Sequence, residues 1–92
     1  MTKKKNTKFL ITGTAGFIGF HLAKALLEKK FIVLGIDGLT KYYDTNLKKN
    51  RHSILKKFVN FSAHEIKIEE TMKLEKICLK FNPDFIIHLA AQ

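Results

Sequence analysis

A chain of 92 residues has room for one small domain and not for two. At 46% hydrophobic, 11% aromatic and 27% charged, with a single proline, it is neither disordered nor collagen-like, and no apolar run approaches the roughly 20 residues of a membrane span. The lone cysteine, Cys78, excludes an internal disulfide framework and fits a reducing, cytoplasmic setting, while the formal charge of +9 rests on lysines, with Arg51 the only arginine.

That charge reads as a solvated surface. Lys3, Lys4, Lys5 and Lys8 form a basic tail over residues 1–8, and Lys29/Lys30, Lys48/Lys49 and Lys56/Lys57 fall at helix ends or on polar faces. Readers of bases and phosphates favour the bidentate fork of arginine. The apolar run at Phe9-Leu10-Ile11 is broken at once by Thr12 and Gly13, so the N-terminus does not read as a signal peptide.

Strands and helices alternate along the rest. Phe9-Leu10-Ile11-Thr12 is a buried strand ending at Gly13. A helix follows from Phe17 to about Lys29, with Ile18, Leu22, Ala25 and Leu26 on its apolar face and His21, Lys24 and Glu28 opposite. The continuous apolar run 31–36, closing at Asp37, predicts a second strand covered on both faces, as in a parallel sheet. After a loop at 38–43, a helix capped by Asp44 or Thr45 carries Leu47, Ile54, Leu55 and Phe58 inward. Phe58-Val59-Asn60-Phe61 forms a weaker third strand. The third helix buries Leu74, Ile77, Cys78 and Phe81 and stops at Asn82-Pro83-Asp84, and residues 85–91 form the fourth strand. The order β-α-β-α-β-α-β implies an α/β fold: a partial Rossmann fold, a parallel sheet of about four strands in spatial order 3-2-1-4 with flanking helices. Residues 9–92 would be the N-terminal portion of a dinucleotide-binding domain.

Gly13-Thr14-Ala15-Gly16-Phe17-Ile18-Gly19 is G-x-x-G-x-x-G between a strand and a helix. Gly13 turns the chain out of the strand, Gly16 lets backbone amides approach a pyrophosphate, and Gly19 permits close helix packing. The pyrophosphate would sit at the helix N-terminus, where the dipole and amides favour negative charge. Asp37 ends the second strand 18 residues after Gly19, where its carboxylate can accept both hydroxyls of an adenosine ribose. Like-charge repulsion of a 2′-phosphate favours NAD over NADP, a preference that Lys41 moderates.

These residues, with Phe20-His21-Leu22-Ala23, Gly35-Ile36-Asp37, Tyr42-Tyr43-Asp44, Pro83-Asp84 and His88-Leu89-Ala90-Ala91-Gln92, resemble the extended short-chain dehydrogenase/reductases. Within them the chain is most similar to NAD-dependent nucleotide-sugar epimerases and dehydratases, especially the UDP-glucuronate 4-epimerase type. The resemblance implies NAD as cofactor: Phe17 and Ile18 supplying backbone at the pyrophosphate, Asp37 at the ribose, Glu65 and Ile66 beside the adenine, and Leu89, Ala90 and Ala91 lining the crevice near the nicotinamide-side ribose. Three positions depart from the family pattern. Gly38 replaces a usual asparagine, Glu65 a usual aspartate, and Lys30 the glycine that often ends the first helix.

The family oxidises the sugar at carbon 4 and returns the hydride to the other face, using a tyrosine, a lysine four residues later, and a serine or threonine. Here Asn46 follows Tyr42 and Leu47 follows Tyr43 at that spacing, so no catalytic residue is assigned. His21, His52, His64 and His88 show no metal spacing with Cys78 and read as surface or strand histidines, and no metal site is assigned. The expectation is an NAD-binding portion of a nucleotide-sugar epimerase, inactive alone. Its partners would be NAD and either a second polypeptide that supplies the catalytic half or another copy joined through the fourth strand, an exposed apolar edge. The alternatives are a small nucleotide- or nucleic-acid-binding module and the N-terminal half of a split dehydratase or epimerase.

Overall fold

The computed structural model describes residues 7–37, 45–66 and 70–89. Along them run β1 (Lys8–Thr12), α1 (Phe17–Glu28), β2 (Ile32–Asp37), α2 (Thr45–Leu55), β3 (Phe61–Glu65), α3 (Thr71–Phe81) and β4 (Phe85–His88). The strands form one parallel sheet in the order β3-β2-β1-β4, as the alternation of elements predicts.

Both faces of the sheet are apolar because β1 and β2 are apolar at successive positions, which point to opposite sides. Ile11 and Val33 pack with Phe20, Ala23 and Leu27 of α1, Leu55 of α2 and Phe61 of β3. Leu10, Leu34, Ile36 and Ile66 form the opposite cluster, against Leu74, Ile77, Cys78 and Phe81 of α3. The third helix thus presents the face read from its spacing.

The other two helices differ from expectation. On α1 the buried residues are Gly19, Phe20, Ala23 and Leu27; Leu22 and Leu26 are half-buried, and Ile18 and Ala25 are exposed. Two apolar stripes share this helix, and the close seating of Gly19 on the preceding turn selects between them. On α2, Leu55 is buried and Phe58 half-buried just beyond the helix, but Leu47 and Ile54 are exposed. His52 takes the inward place three residues before Leu55, on the same helix face.

Residues 58–60 form a turn rather than a strand, and β3 starts at Phe61. The side-chain amide of Asn60 donates to the carbonyls of Phe31 at 2.5 Å and Leu27 at 3.3 Å, tying this turn to the end of α1. The fourth strand stops at His88; Leu89 follows it with a backbone bond to the Thr12 carbonyl, and Ala90 and Ala91 lie outside the described residues. So do Gly38, Lys41, Tyr42, Tyr43 and Asp44, as does the side chain of the other expected cap, Thr45.

Two helices end on a left-handed residue. Lys30, at φ 73°, donates to the Leu27 carbonyl while Phe31 donates to Leu26, the paired bonds of a Schellman motif. Asn82, at φ 52°, donates to Cys78 immediately before Pro83.

Candidate dinucleotide site

Parallel pairing brings the four strand C-termini to one edge. Thr12 is in register with Ile36 and His88, and Asp37 with Glu65. Backbone bonds extend this alignment beyond the strands: Gly13 N–H donates to the Ile36 carbonyl (2.7 Å), Ile66 N–H to Asp37 (3.2 Å) and Leu89 N–H to Thr12 (3.1 Å). Gly13, Asp37, Glu65, Ile66 and Leu89 are scattered in sequence and meet along this edge. The chain leaves β1 toward β2 on one side and returns to it through β4 on the other, so the edge contains the topological switch point where α/β sheets hold ligands.

The glycine segment joins β1 to α1. Gly13 has φ 85°, a conformation that costs glycine little, and it turns the chain out of the sheet. Gly16 N–H closes the turn on the Gly13 carbonyl at 3.0 Å. Gly16 is also the N-cap of α1, with no side-chain cap and no acidic residue in the first turn. The first backbone bond of the helix runs from Phe20 N–H to the Gly16 carbonyl. The amides of Phe17, Ile18 and Gly19 precede it, where helix geometry supplies no backbone acceptor. The side chains of Phe17 and Ile18 are 66% and 68% exposed, so these residues offer the site backbone rather than a packed apolar wall.

Asp37 is 6% exposed, and its Oδ2 accepts the Ala15 N–H at 3.1 Å. The carboxylate therefore stands over the glycine turn. Ile66 is turned into the core beneath α3, leaving its backbone to face the edge. Leu89 N–H also donates to Thr12 Oγ1 at 3.1 Å, and that hydroxyl lies 2.7 Å from His88 Nδ1, so β1 and β4 are cross-linked at the mouth of the crevice.

Two contributors were not apparent from sequence. Arg51 Nη1 donates to the Ala15 carbonyl at 2.9 Å, and His52 Nε2 lies 2.6 Å from Thr14 Oγ1 in a buried contact. His52 is therefore not a surface histidine. Its one sequence signal was its position three residues before Leu55 on the inner face. Arg51 gave no comparable signal beyond being the lone arginine among lysines.

Comparison with known proteins bears on the family and the fold. Residues 10–92 match the family described as GDP-mannose 4,6 dehydratase. A probable UDP-glucuronate 4-epimerase from Rhizobium meliloti is 48% identical over 85 residues, covering 92% of this chain and 25% of that protein. A UDP-glucuronate 4-epimerase from Thermodesulfobacterium geofontis is 40% identical over 84 residues, covering 91% of this chain and 26% of that protein. The crystal structure of UDP-glucuronic acid 4-epimerase from Bacillus cereus, in complex with UDP-glucuronic acid and NAD, superposes with a TM-score of 0.81 at 36% identity. That match covers 92% of this chain and 26% of the crystallised one, so the chain spans about a quarter of the length of its relatives.

Proposed function

This chain belongs to the nucleotide-sugar epimerase and dehydratase family, and from that premise we propose that it binds NAD across the C-terminal edge of its sheet. The observation that carries the reading is the glycine turn, which delivers β1 into an uncapped helix N-terminus beneath the Asp37 carboxylate. The residues present fit the dinucleotide. Gly16 adds no side chain to the cradle, and no acidic residue opposes a phosphate in the first turn of α1. Phe17 and Ile18 would donate backbone N–H groups to the pyrophosphate, together with Gly13, Gly16 and Gly19 shaping the turn. Asp37 would accept from the adenosine ribose. A carboxylate has about four acceptor positions, so its bond from Ala15 is compatible with a pair of hydroxyls. Glu65 and Ile66 would flank the adenine, and Leu89, Ala90 and Ala91 the nicotinamide-side ribose.

Bound NAD would supply a hydride acceptor; the chain's own residues would hold and orient it. The relatives' names point to UDP-sugars such as UDP-glucuronate as the substrate class, with inversion at carbon 4. The 92 residues contain no Tyr-x-x-x-Lys pair to take the hydroxyl proton. On this reading the chain alone binds cofactor without turning over sugar; its partner is a second polypeptide that supplies the catalytic half, or another copy that pairs with it along β4. A cytoplasmic setting accords with the free thiol of Cys78.

Titration calorimetry with NAD, NADP and UDP-glucuronate, alongside a coupled epimerase assay on the 92-residue chain, tests this. The expected result is NAD binding with no turnover. No NAD binding would overturn the cofactor reading, and turnover by the pure chain would overturn the inactivity.

A further inference from the structure

The glycine turn is held from two sides. Asp37 of β2 accepts the Ala15 N–H, while Arg51 of α2 donates to the Ala15 carbonyl, so the peptide groups flanking one residue are pinned by two different elements. His52, the next residue of α2, holds Thr14 through a 2.6 Å contact in which both side chains are buried. Its ring meets Phe61 edge-on at 5.9 Å between centroids, which fixes the imidazole against the sheet. The Arg51 guanidinium also lies 6.0 Å from the centre of the Phe17 ring, at the first turn of α1. Side chains of adjacent helical residues diverge by about 100°. One turn of α2 can therefore grip two successive residues of the glycine segment without changing its own backbone.

These contacts add to a small apolar footing among the described residues of α2. Leu55 is its deeply buried apolar residue, and Leu47 and Ile54 face outward. The helix seats on the domain through Leu55 and through the same polar bonds that shape the turn.

Resting on the dinucleotide reading above, we infer that Arg51 and His52 are positioning residues for the glycine turn, and that docking of α2 is thermodynamically coupled to filling of the dinucleotide site. Neither residue needs to touch the ligand. Arg51 orients the Ala15–Gly16 peptide that leads into the helix N-terminus, and His52 fixes Thr14 one residue earlier. Linkage makes the effect reciprocal: whatever holds α2 in place tightens dinucleotide binding, and bound dinucleotide holds α2 in place.

The test uses the whole 92-residue chain and two readouts. In the first, NAD affinity is measured for the wild type, Arg51→Ala and Arg51→Lys, at a temperature where circular dichroism shows each fully folded. Arg51→Ala should weaken NAD by about 5- to 150-fold, the ordinary range of coupling between sites, and Arg51→Lys, which keeps a charged donor, should recover part of the loss. In the second, hydrogen exchange of the α2 amides at residues 49–55 is followed in the wild type with and without NAD, which requires no variant to fold. Saturating NAD should slow these amides at least fivefold. Wild-type binding with Arg51→Ala within twofold of it, or α2 exchange indifferent to NAD, would overturn the coupling while leaving the cofactor reading intact. A wild type that does not bind NAD would remove both.

Discussion

Gly19 rests directly on the carbonyl of Gly13. A Cβ at position 19 would lie 2.8 Å from the Gly13 carbonyl carbon and closer still to its oxygen, with Thr14 Cα at 3.1 Å. All three are backbone atoms, which cannot swing aside. Gly19→Ala should therefore separate α1 from the turn and destabilise the chain by about 3 kcal/mol, the upper end of ordinary overpacking. For a domain of this size that corresponds to a fall in Tm of roughly 12–24 °C. Gly16 makes a different case. Among the described residues its added Cβ meets only the Gly13 oxygen, at 3.3 Å, and its φ of −76° suits any residue. Gly16→Ala should cost less than about 1 kcal/mol of stability yet weaken NAD markedly, because the methyl occupies space the pyrophosphate needs. Thermal unfolding and NAD titration of the two variants would show the contrast, and equal losses of stability would refute it.

Asp37 should set the choice between NAD and NADP. Its carboxylate is buried over the turn by the Ala15 N–H and stands at the β2 terminus, where the adenosine ribose of a dinucleotide lies. A hydrogen bond to a charged group contributes about 1.5–3 kcal/mol. Asp37→Asn should accordingly weaken NAD by roughly tenfold or more while removing the repulsion of a 2′-phosphate. The ratio of NAD to NADP affinity should collapse toward unity. A ratio unchanged from wild type would place selectivity elsewhere.

The sheet order and the glycine turn were legible because each depends on local pattern. Continuous apolar runs mark strands covered on both faces, and a glycine triplet between strand and helix has few structural uses. The helix faces were less so. Stripes 18/22/25/26 and 20/23/27 of α1 are both apolar at helical spacing, and the contact of Gly19 with Gly13, which is tertiary, decides between them. His52 was misread for the same reason. A histidine becomes a buried residue only when a partner such as Thr14 meets it, 38 positions away in the chain. Asn60, read as part of a strand, instead satisfies carbonyls at the end of α1, a role its neighbours in sequence do not announce.

Lys30 offers a stabilising change. The sequence lacks glycine where α1 ends, and the structure shows the consequence: a lysine held at φ 73° by the two bonds of the Schellman motif. A left-handed conformation costs an L-residue roughly 1–2 kcal/mol, against which glycine loses about 0.5–1 kcal/mol of extra chain entropy. Lys30→Gly should therefore be stabilising by up to about 1 kcal/mol, a rise in Tm of a few degrees. The Lys30 side chain is exposed, so little packing is lost. A lower Tm would mean that its aliphatic stem contributes more than the backbone strain costs.

The outer side of β4 should govern association. β4 is at one end of the sheet order, so one of its backbone edges has no neighbouring strand among the described residues. Phe85 and Ile86 on it are 55% and 61% exposed. Unpaired edges bearing apolar side chains template pairing with another chain, and natural proteins blunt them with lysine. Of the two positions, Phe85 stacks on Phe9 at 5.1 Å between ring centres, so replacing it would also disturb the fold. Ile86 is the cleaner probe. Sedimentation of the wild type should show concentration-dependent self-association in the micromolar-to-millimolar range in which exposed strand edges act. Ile86→Lys should weaken that association by at least about tenfold, roughly 1.4 kcal/mol. Val59→Lys, at an exposed turn residue before β3 and so at the opposite end of the sheet from β4, controls for added charge and should change nothing. A monomeric wild type, or equal effects of the two lysines, would show that β4 is not the associating surface.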